Sequence, residues 1–322
     1  MPIVQLQHVR KVYDTKVAVE DLSLAIEPGT MFGLLGPNGS GKTSSIRMMI
    51  GITMPDSGTV SLFDRPFDRS MLPLVGYLPE ERGLYKKMHV LDQLVFLGQL
   101  HGLRASEAAK RARLWCERLN IAEALPKKTE DLSKGMQQKI QFIASVLHDP
   151  ELIIMDEPFT GLDPVNAALL METLADLRRD GRAVLFSTHR MDQVEKMCDN
   201  IALIHRGHLV LAGSMREVKS SYPRNRVVIQ FEGGDGFLRH PAIESQKRYN
   251  GHVEIKLRAS ATLDDDAQSL LLEAIRRARV TRFEVMEPTL EEIFIEKVGE
   301  TDGPETGSAI CEEERAGELI DA

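Results

Sequence analysis

The sequence has no long hydrophobic run. Its longest stretch without a charged residue runs from Pro28 to Gly41 and is rich in glycine. A bilayer span needs about 20 mainly apolar residues, so the chain is not expected to cross a membrane. Met1 to Asp14 lacks a basic start followed by an apolar core, and no signal peptide is expected. Cysteine is scarce. Cys116, Cys198 and Cys311 lie far apart, which points to a reducing compartment and excludes a disulfide framework. Of nine histidines only His205 and His208 are closely spaced. No cysteine or acid stands near them at metal-ligand spacing, so they read as a surface turn. A basic excess is also missing. Lys and Arg number 40 against 48 Asp and Glu, a net charge of -8, which argues weakly against a nucleic-acid partner. Six of those eight net charges lie in the last segment, Thr301 to Ala322.

At 322 residues, two domains are expected. A content of 43% hydrophobic and 27% charged residues is that of a globular protein with a sizeable core. Residues 2–26 alternate apolar and polar and read as short antiparallel strands. Met31 to Leu35 is an apolar run that ends in a glycine-rich loop, with a helical pattern from Lys42. Helical periodicity follows over Val90–Asn120, with Leu91, Leu94, Val95 and Leu97 on one surface and Leu114, Trp115 and Leu119 on the next. Ser133–Leu147, Asn166–Arg179 and Asp192–Cys198 also read as helices. Leu152–Met155 and Ala183–Phe186 are continuous apolar runs, the mark of buried parallel strands. Strands alternating with helices indicate an α/β layer fold. After residue 217 the pattern changes to a small α+β domain. Strands are expected at 226–232, 252–257 and 280–286, and helices at 267–279 and 288–298. The domains are therefore set at 1–217 and 218–300. The acidic segment 301–322 is read as a disordered tail.

Gly36-Pro37-Asn38-Gly39-Ser40-Gly41-Lys42-Thr43 fits the phosphate-binding pattern G-x-x-x-x-G-K-[ST], and Ser44 follows it. Gly36, Gly39 and Gly41 let the backbone curl so that its N–H groups face phosphate oxygens. The next helix directs its positive end at the same anion. Lys42 reaches the β- and γ-phosphates, and Thr43 offers a hydroxyl to Mg²⁺. Leu152-Ile-Ile-Met-Asp156-Glu157 is an apolar strand ending in two acids, a Walker B element. Asp156 is placed to hold Mg²⁺ and Glu157 to polarise a water as general base. These motifs alone leave a P-loop hydrolase or a kinase open.

Three further segments narrow the choice. Leu132-Ser133-Lys134-Gly135-Met136-Gln137-Gln138 opens a helix before Walker B, Thr160-Gly-Leu-Asp163 follows it, and Ser187-Thr188-His189 ends the next strand. In order and spacing they resemble the signature, D-loop and switch histidine of ATP-binding-cassette (ABC) ATPases, over about residues 2–217. Pro79-Glu80-Glu-Arg-Gly-Leu-Tyr85 and the C-terminal Pro288–Phe294 add a likeness to the ATPases of ABC-2-type exporters associated with sodium extrusion and to their accessory domain.

The resemblance implies a P-loop ABC ATPase domain with a RecA-like core, an antiparallel β subdomain and a helical subdomain. It implies ATP and Mg²⁺ as ligands. Tyr13 would stack on adenine, and Glu80, standing where the family has Gln, would reach Mg²⁺. Ser133, Lys134, Gly135 and Met136 would meet the ATP of a second subunit. Asp163 would cross that interface, and His189 would hold Glu157 and the γ-phosphate. With one P-loop and one signature per chain, a homodimer is implied. So is a separate integral-membrane permease, with this chain peripheral on the cytoplasmic side. Lys134 and Met136 depart from the usual Gly and Gln. A soluble ABC ATPase of DNA repair or translation stays open, as does a regulatory, non-transporting subunit. Both fit less well, because long coiled-coil insertions and a second cassette are lacking and Lys42, Asp156, Glu157 and His189 are all present.

Overall fold

A computed structural model describes residues 1–81, 83–258 and 263–302. They divide into two units, Met1–Met215 and a second beginning at Arg216. Of the segment expected to be disordered, only residues 301 and 302 are described, at the end of a helix. The rest lies outside the described residues.

In the first unit, β1 (Val4–Tyr13) and β2 (Lys16–Ile26) form an antiparallel pair. They are followed by β3 (Met31–Leu35), α1 (Lys42–Met49), β4 (Ser57–Leu62), β5 (Arg65–Pro66) and β6 (Val75–Leu78). Three helices come next: α2 (Val90–Leu100), α3 (Ala105–Arg118) and α4 (Lys134–Val146). Then follow β7 (Leu152–Asp156), α5 (Pro164–Arg179), β8 (Ala183–Thr188), α6 (Met191–Met197), β9 (Asn200–His205) and β10 (His208–Ser214), and α7 (Met215–Ser220) starts on the unit's last residue and runs into the second unit.

Two sheets result. The antiparallel one runs β2-β1-β4-β5, and the larger one runs β10-β9-β3-β8-β7-β6. From β9 to β6 every neighbour is parallel, and only β10 turns back. The continuous apolar runs occupy the middle: every residue of β3, β7 and β8 is buried. A parallel sheet covered on both faces demands this. The loops that leave the C-terminal ends of β3, β8 and β7 therefore emerge side by side, where ligands bind in open α/β sheets.

The helices α2, α3 and α4 form the helical subdomain. Here the structure corrects the expected packing of α3. It buries its small residues, Ala108 and Ala112, with Cys116, while Leu114 points outward at 55% exposure. Close approach is the reason. A Cβ on Gly98 of α2 would meet the Ala108 methyl at 2.9 Å, so the contact is built from small side chains. The expected surface turn at His205 and His208 is half right. His208 is exposed, but His205 is buried, because the turn between β9 and β10 backs onto the glycine-rich loop through Gly207 N–H, which donates to Ser40 O at 2.8 Å.

The second unit holds β11 (Arg226–Gly233), β12 (Ile243–Tyr249), β13 (His252–Leu257), α8 (Leu263–Arg277), β14 (Ala278–Met286) and α9 (Leu290–Asp302). The sheet order β12-β13-β11-β14 is antiparallel throughout. That is the order of a ferredoxin-like β-α-β-β-α-β motif, with a 3-10 turn at Gly236–Arg239 in place of the first helix. Val227, Ile229, Val253 and Ile255 form its core with Leu270 and Ala274 of α8. No strand is expected at β12 from residue pattern alone. It is an edge strand whose residues after Ile243 are all polar or exposed, the composition that keeps an edge from pairing with other chains. Among the described residues no helix is long and apolar enough to cross a membrane.

Candidate functional site

The glycine-rich loop joins the end of β3 to the start of α1. Its glycines are conformational necessities. Gly36 lies at φ +149°, Gly39 at +77° and Gly41 at +113°. A Cβ on Gly36 would stand 2.1 Å from the Ile204 carbonyl oxygen, and one on Gly41 would stand 2.4 Å from that of Ala18. Gly41 is also the N-cap of α1 and supplies no side-chain acceptor. The first N–H groups of the helix thus stay open to an anion.

Lys42 is buried and folds back over the loop, donating to Gly36 O at 2.6 Å and Pro37 O at 3.1 Å. Burial pulls its pKa down, and the nearby carboxylates of Glu157, Asp156 and Glu80 act the other way. Ser40 is 3% exposed and its Oγ has no hydrogen-bond partner.

Asp156 ends β7 and is 1% exposed. Its Oδ1 accepts a short hydrogen bond from Ser187 Oγ, and its Oδ2 has no partner. A buried carboxylate oxygen left bare is costly unless a cation meets it, so the donor set fits a divalent metal. Glu157 follows at φ +50°, a left-handed conformation unusual for a non-glycine residue. Its N–H donates to both Ser187 O and Ser187 Oγ at 3.2 Å. Its Oε1 accepts from His189 N at 3.1 Å and lies 2.9 Å from His189 Nδ1. That contact with Glu157 holds the imidazole pKa above its ordinary value.

These elements surround one cavity of about 330 Å³. Of the residues singled out in the sequence, Tyr13, Asn38, Gly39, Gly41, Lys42, Thr43, Ser44, Glu80, Asp156 and Glu157 line it, together with Lys16 and Ala18 of β2. His189 reaches it through Glu157. Gly36, Pro37 and Ser40 form the loop behind it. Tyr13 is partly exposed, with Lys11 Nζ 5.5 Å from its ring centre.

Ser133, Lys134, Gly135 and Met136 do not line this cavity, and neither does Asp163. Ser133 is the exposed N-cap of α4, accepting from Met136 N at 3.2 Å. Asp163 is the exposed N-cap of α5, accepting from Asn166 N at 2.9 Å.

The sequence matches the ABC transporter family over residues 19–160, and the C-terminal domain of DrrA1-3-like ATP-binding proteins over residues 213–298. It is 43% identical over 295 residues to the uncharacterized ABC transporter ATP-binding protein YhaQ of Bacillus subtilis, covering 91% of this chain and 98% of that one. The chain belongs to the ABC transporter ATP-binding proteins. It is 36% identical over 222 residues to the Nod factor export ATP-binding protein I of Cupriavidus metallidurans, covering 68% of this chain and 73% of that protein. A solved structure of an ATP-binding subunit of an ABC transporter superposes with a TM-score of 0.64 at 27% identity, covering 68% of this chain and 92% of that one. The fold is thus the P-loop ABC ATPase fold with a C-terminal domain appended. The activity of the family is ATP hydrolysis in transport, and this ABC subunit falls in its exporter-type branch.

Several residues of this ABC subunit were given no role in the sequence reading. Gln138 and Gln141 are buried on α4, where Gln138 Nε2 donates to Pro158 O at 3.0 Å and Gln141 Nε2 to Glu81 O at 3.3 Å. They tie the signature helix to the loops after Asp156 and Glu80. Their signal was polar side chains on an otherwise apolar helix face. Lys16 was signalled only by its pairing with Tyr13 across the β1–β2 hairpin. A second, mainly apolar cavity of about 370 Å³ lies beside the first, lined by Ile50, Ile52, Leu72, Tyr77, Leu84 and Leu97 among others. At its edge His101 stacks on His148, with ring centres 3.8 Å apart.

Proposed function

We propose that this chain is the energising subunit of an exporter whose path across the membrane belongs to a separate permease. In this reading it works as a homodimer, peripheral on the cytoplasmic face. The carrying observation is the split of the motifs: phosphate loop, Lys42 and the two carboxylates share one cavity, while the exposed signature stands outside it. A second copy supplies the missing wall, laying Ser133 and the Gly135 N–H against the γ-phosphate. Asp163 then lies in the same interface.

The triphosphate lies along the N–H groups of residues 38–44, with adenine against Tyr13. Lys42 exchanges the carbonyls of Gly36 and Pro37 for phosphate oxygens. Phosphate oxygens favour the ammonium charge that burial disfavours. Mg²⁺, when bound, supplies positive charge at the β- and γ-phosphates, and Thr43, Asp156 and Glu80 would hold it. Glu157 accepts the proton of a water as its oxygen attacks the γ-phosphorus. The bond to the bridging oxygen breaks, leaving ADP and phosphate. His189 keeps Glu157 aimed and donates to the γ-phosphate.

The apolar cavity beside the site suits an amphipathic permease segment. Gln141 joins its wall to the Glu80 loop, which gives closure a route to the membrane subunit. Motif likeness makes sodium the cargo to test, by measuring sodium efflux from cells expressing this chain with its permease. The test of the ATPase reading is E157Q. It should bind ATP with wild-type affinity, lose turnover and accumulate as a dimer on ATP. Wild-type turnover in E157Q would overturn it.

A further inference from the structure

We propose that Ser187 is a positioning residue of the ATPase site, one buried hydroxyl that sets both Walker B carboxylates at once. The inference rests on the ATPase reading given above.

Ser187 is wholly buried in β8, in a strand otherwise apolar from Ala183 to Phe186. A hydroxyl in such a place needs partners, and it has two. Asp156 and Ser187 are register partners across the β7–β8 ladder. Their side chains therefore stand on one face. The Ser187 hydroxyl donates to Asp156 Oδ1 and accepts from Glu157 N. A single O–H satisfies both bonds without conflict, because it donates one and accepts the other.

Each bond has a separate effect. Occupying Oδ1 fixes the Asp156 rotamer, so that Oδ2 is the bare oxygen left for a cation. Gripping Glu157 N–H, together with the Ser187 carbonyl, holds Glu157 at φ +50°. That conformation is strained for a non-glycine residue and persists only where its surroundings fix it. It is also the conformation that brings Oε1 onto His189. Alanine at 187 would leave the strand apolar and buried, but neither carboxylate would have its guide. Thr188 cannot substitute, since its neighbouring hydroxyl accepts from Arg190 N instead.

The test compares S187A, S187T and S187C in the full chain, with E157Q alongside. Binding of a fluorescent ATP analogue is titrated with Mg²⁺ and in its absence, and ATPase rate is followed against Mg²⁺ concentration. Outer-shell partners of metal ligands are worth about 10- to 100-fold in affinity or activity. S187A should therefore bind nucleotide as wild type without Mg²⁺. It should lose about tenfold or more of the Mg²⁺-dependent gain in affinity, and at least as much turnover. S187T, which keeps the hydroxyl, should restore both. Should S187A not fold, S187C takes its place, with similar volume and a weak donor. Wild-type Mg²⁺ dependence in S187A, or equal impairment of S187A and S187T, overturns the proposal. If E157Q turns over normally, the ATPase reading itself fails. If E157Q is dead and S187A is normal, only the role of Ser187 fails.

Discussion

Replacing Gly36 by alanine should unfold the phosphate loop's support far more than replacing Gly39. Both residues have positive φ, at +149° and +77°. The conformation of Gly36 is essentially closed to other residues and costs about 1–3 kcal/mol. Its new methyl would also lie 2.1 Å from the Ile204 carbonyl oxygen. That oxygen belongs to the backbone of β9, pinned beside β3, so no side-chain rotation relieves the overlap. Overpacking of this kind costs about 1–3 kcal/mol more. The total is about 2–6 kcal/mol, a large share of a typical stability of about 5–15 kcal/mol. At Gly39 a Cβ meets nothing within 4 Å, which leaves only the left-handed backbone term of about 1–2 kcal/mol. Urea unfolding followed by Trp115, the single tryptophan, reports on the first unit. With a slope of about 2 kcal/mol/M, the midpoint should fall by about 1–3 M in G36A and by about 0.5–1 M in G39A. Saturating ATP at about 100 times Kd should raise wild-type stability by about 2.7 kcal/mol, and G36A should lose that gain. A midpoint for G36A at or above that of G39A would refute the steric argument.

Other outcomes follow from the same geometry. K42A and S133R should each be inactive, yet mixing the two proteins should recover partial ATPase activity, because mixed dimers contain one site with an intact loop and an intact opposing signature. Absence of recovery, with dimers present by light scattering, would count against the composite site. Burial pushes the Cys116 thiol up to about 12 and raises Cys198 as well. Both should resist iodoacetamide at pH 8 until urea is added, as read by peptide mass spectrometry. Burial and the stacked His101 pull His148 down to about 4. The unfolded chain takes up this proton at about 6.5 and the folded chain does not. Stability from the neutral imidazole is therefore full above pH 6.5 and is lost as pH falls towards 4. H148Q should flatten the fall of Tm over that window, and an unchanged slope would show that His148 does not carry it.

The legibility of this protein differs sharply between its parts. The phosphate loop and Walker B element are contiguous, and their chemistry demands particular residue types at fixed spacing, so Gly36–Ser44 and Asp156–Glu157 stood out in one dimension. The buried strands did too, because a parallel sheet covered on both faces leaves only apolar runs. Leu114 misled, since helical periodicity marks apolar positions without saying whether a neighbouring helix approaches closely enough to want alanine there. β12 was silent for the opposite reason: an edge strand exposed on both faces after Ile243, and polar in composition, has the local statistics of a loop.

The chain order of the motifs already pointed to a nucleotide site, and to the residues proposed to meet its phosphates, because backbone curl and helix start are local properties. Tertiary structure alone decided the rest. It placed β8 between β3 and β7, so Ser187 and His189 reach the carboxylates from 30 and 32 residues beyond Glu157. It put Ile204 behind Gly36, and it turned the signature residues away from the cavity of their own chain. Strand order and side-chain direction are set by packing between distant segments, and that packing leaves no pattern in the spacing of residues along the sequence.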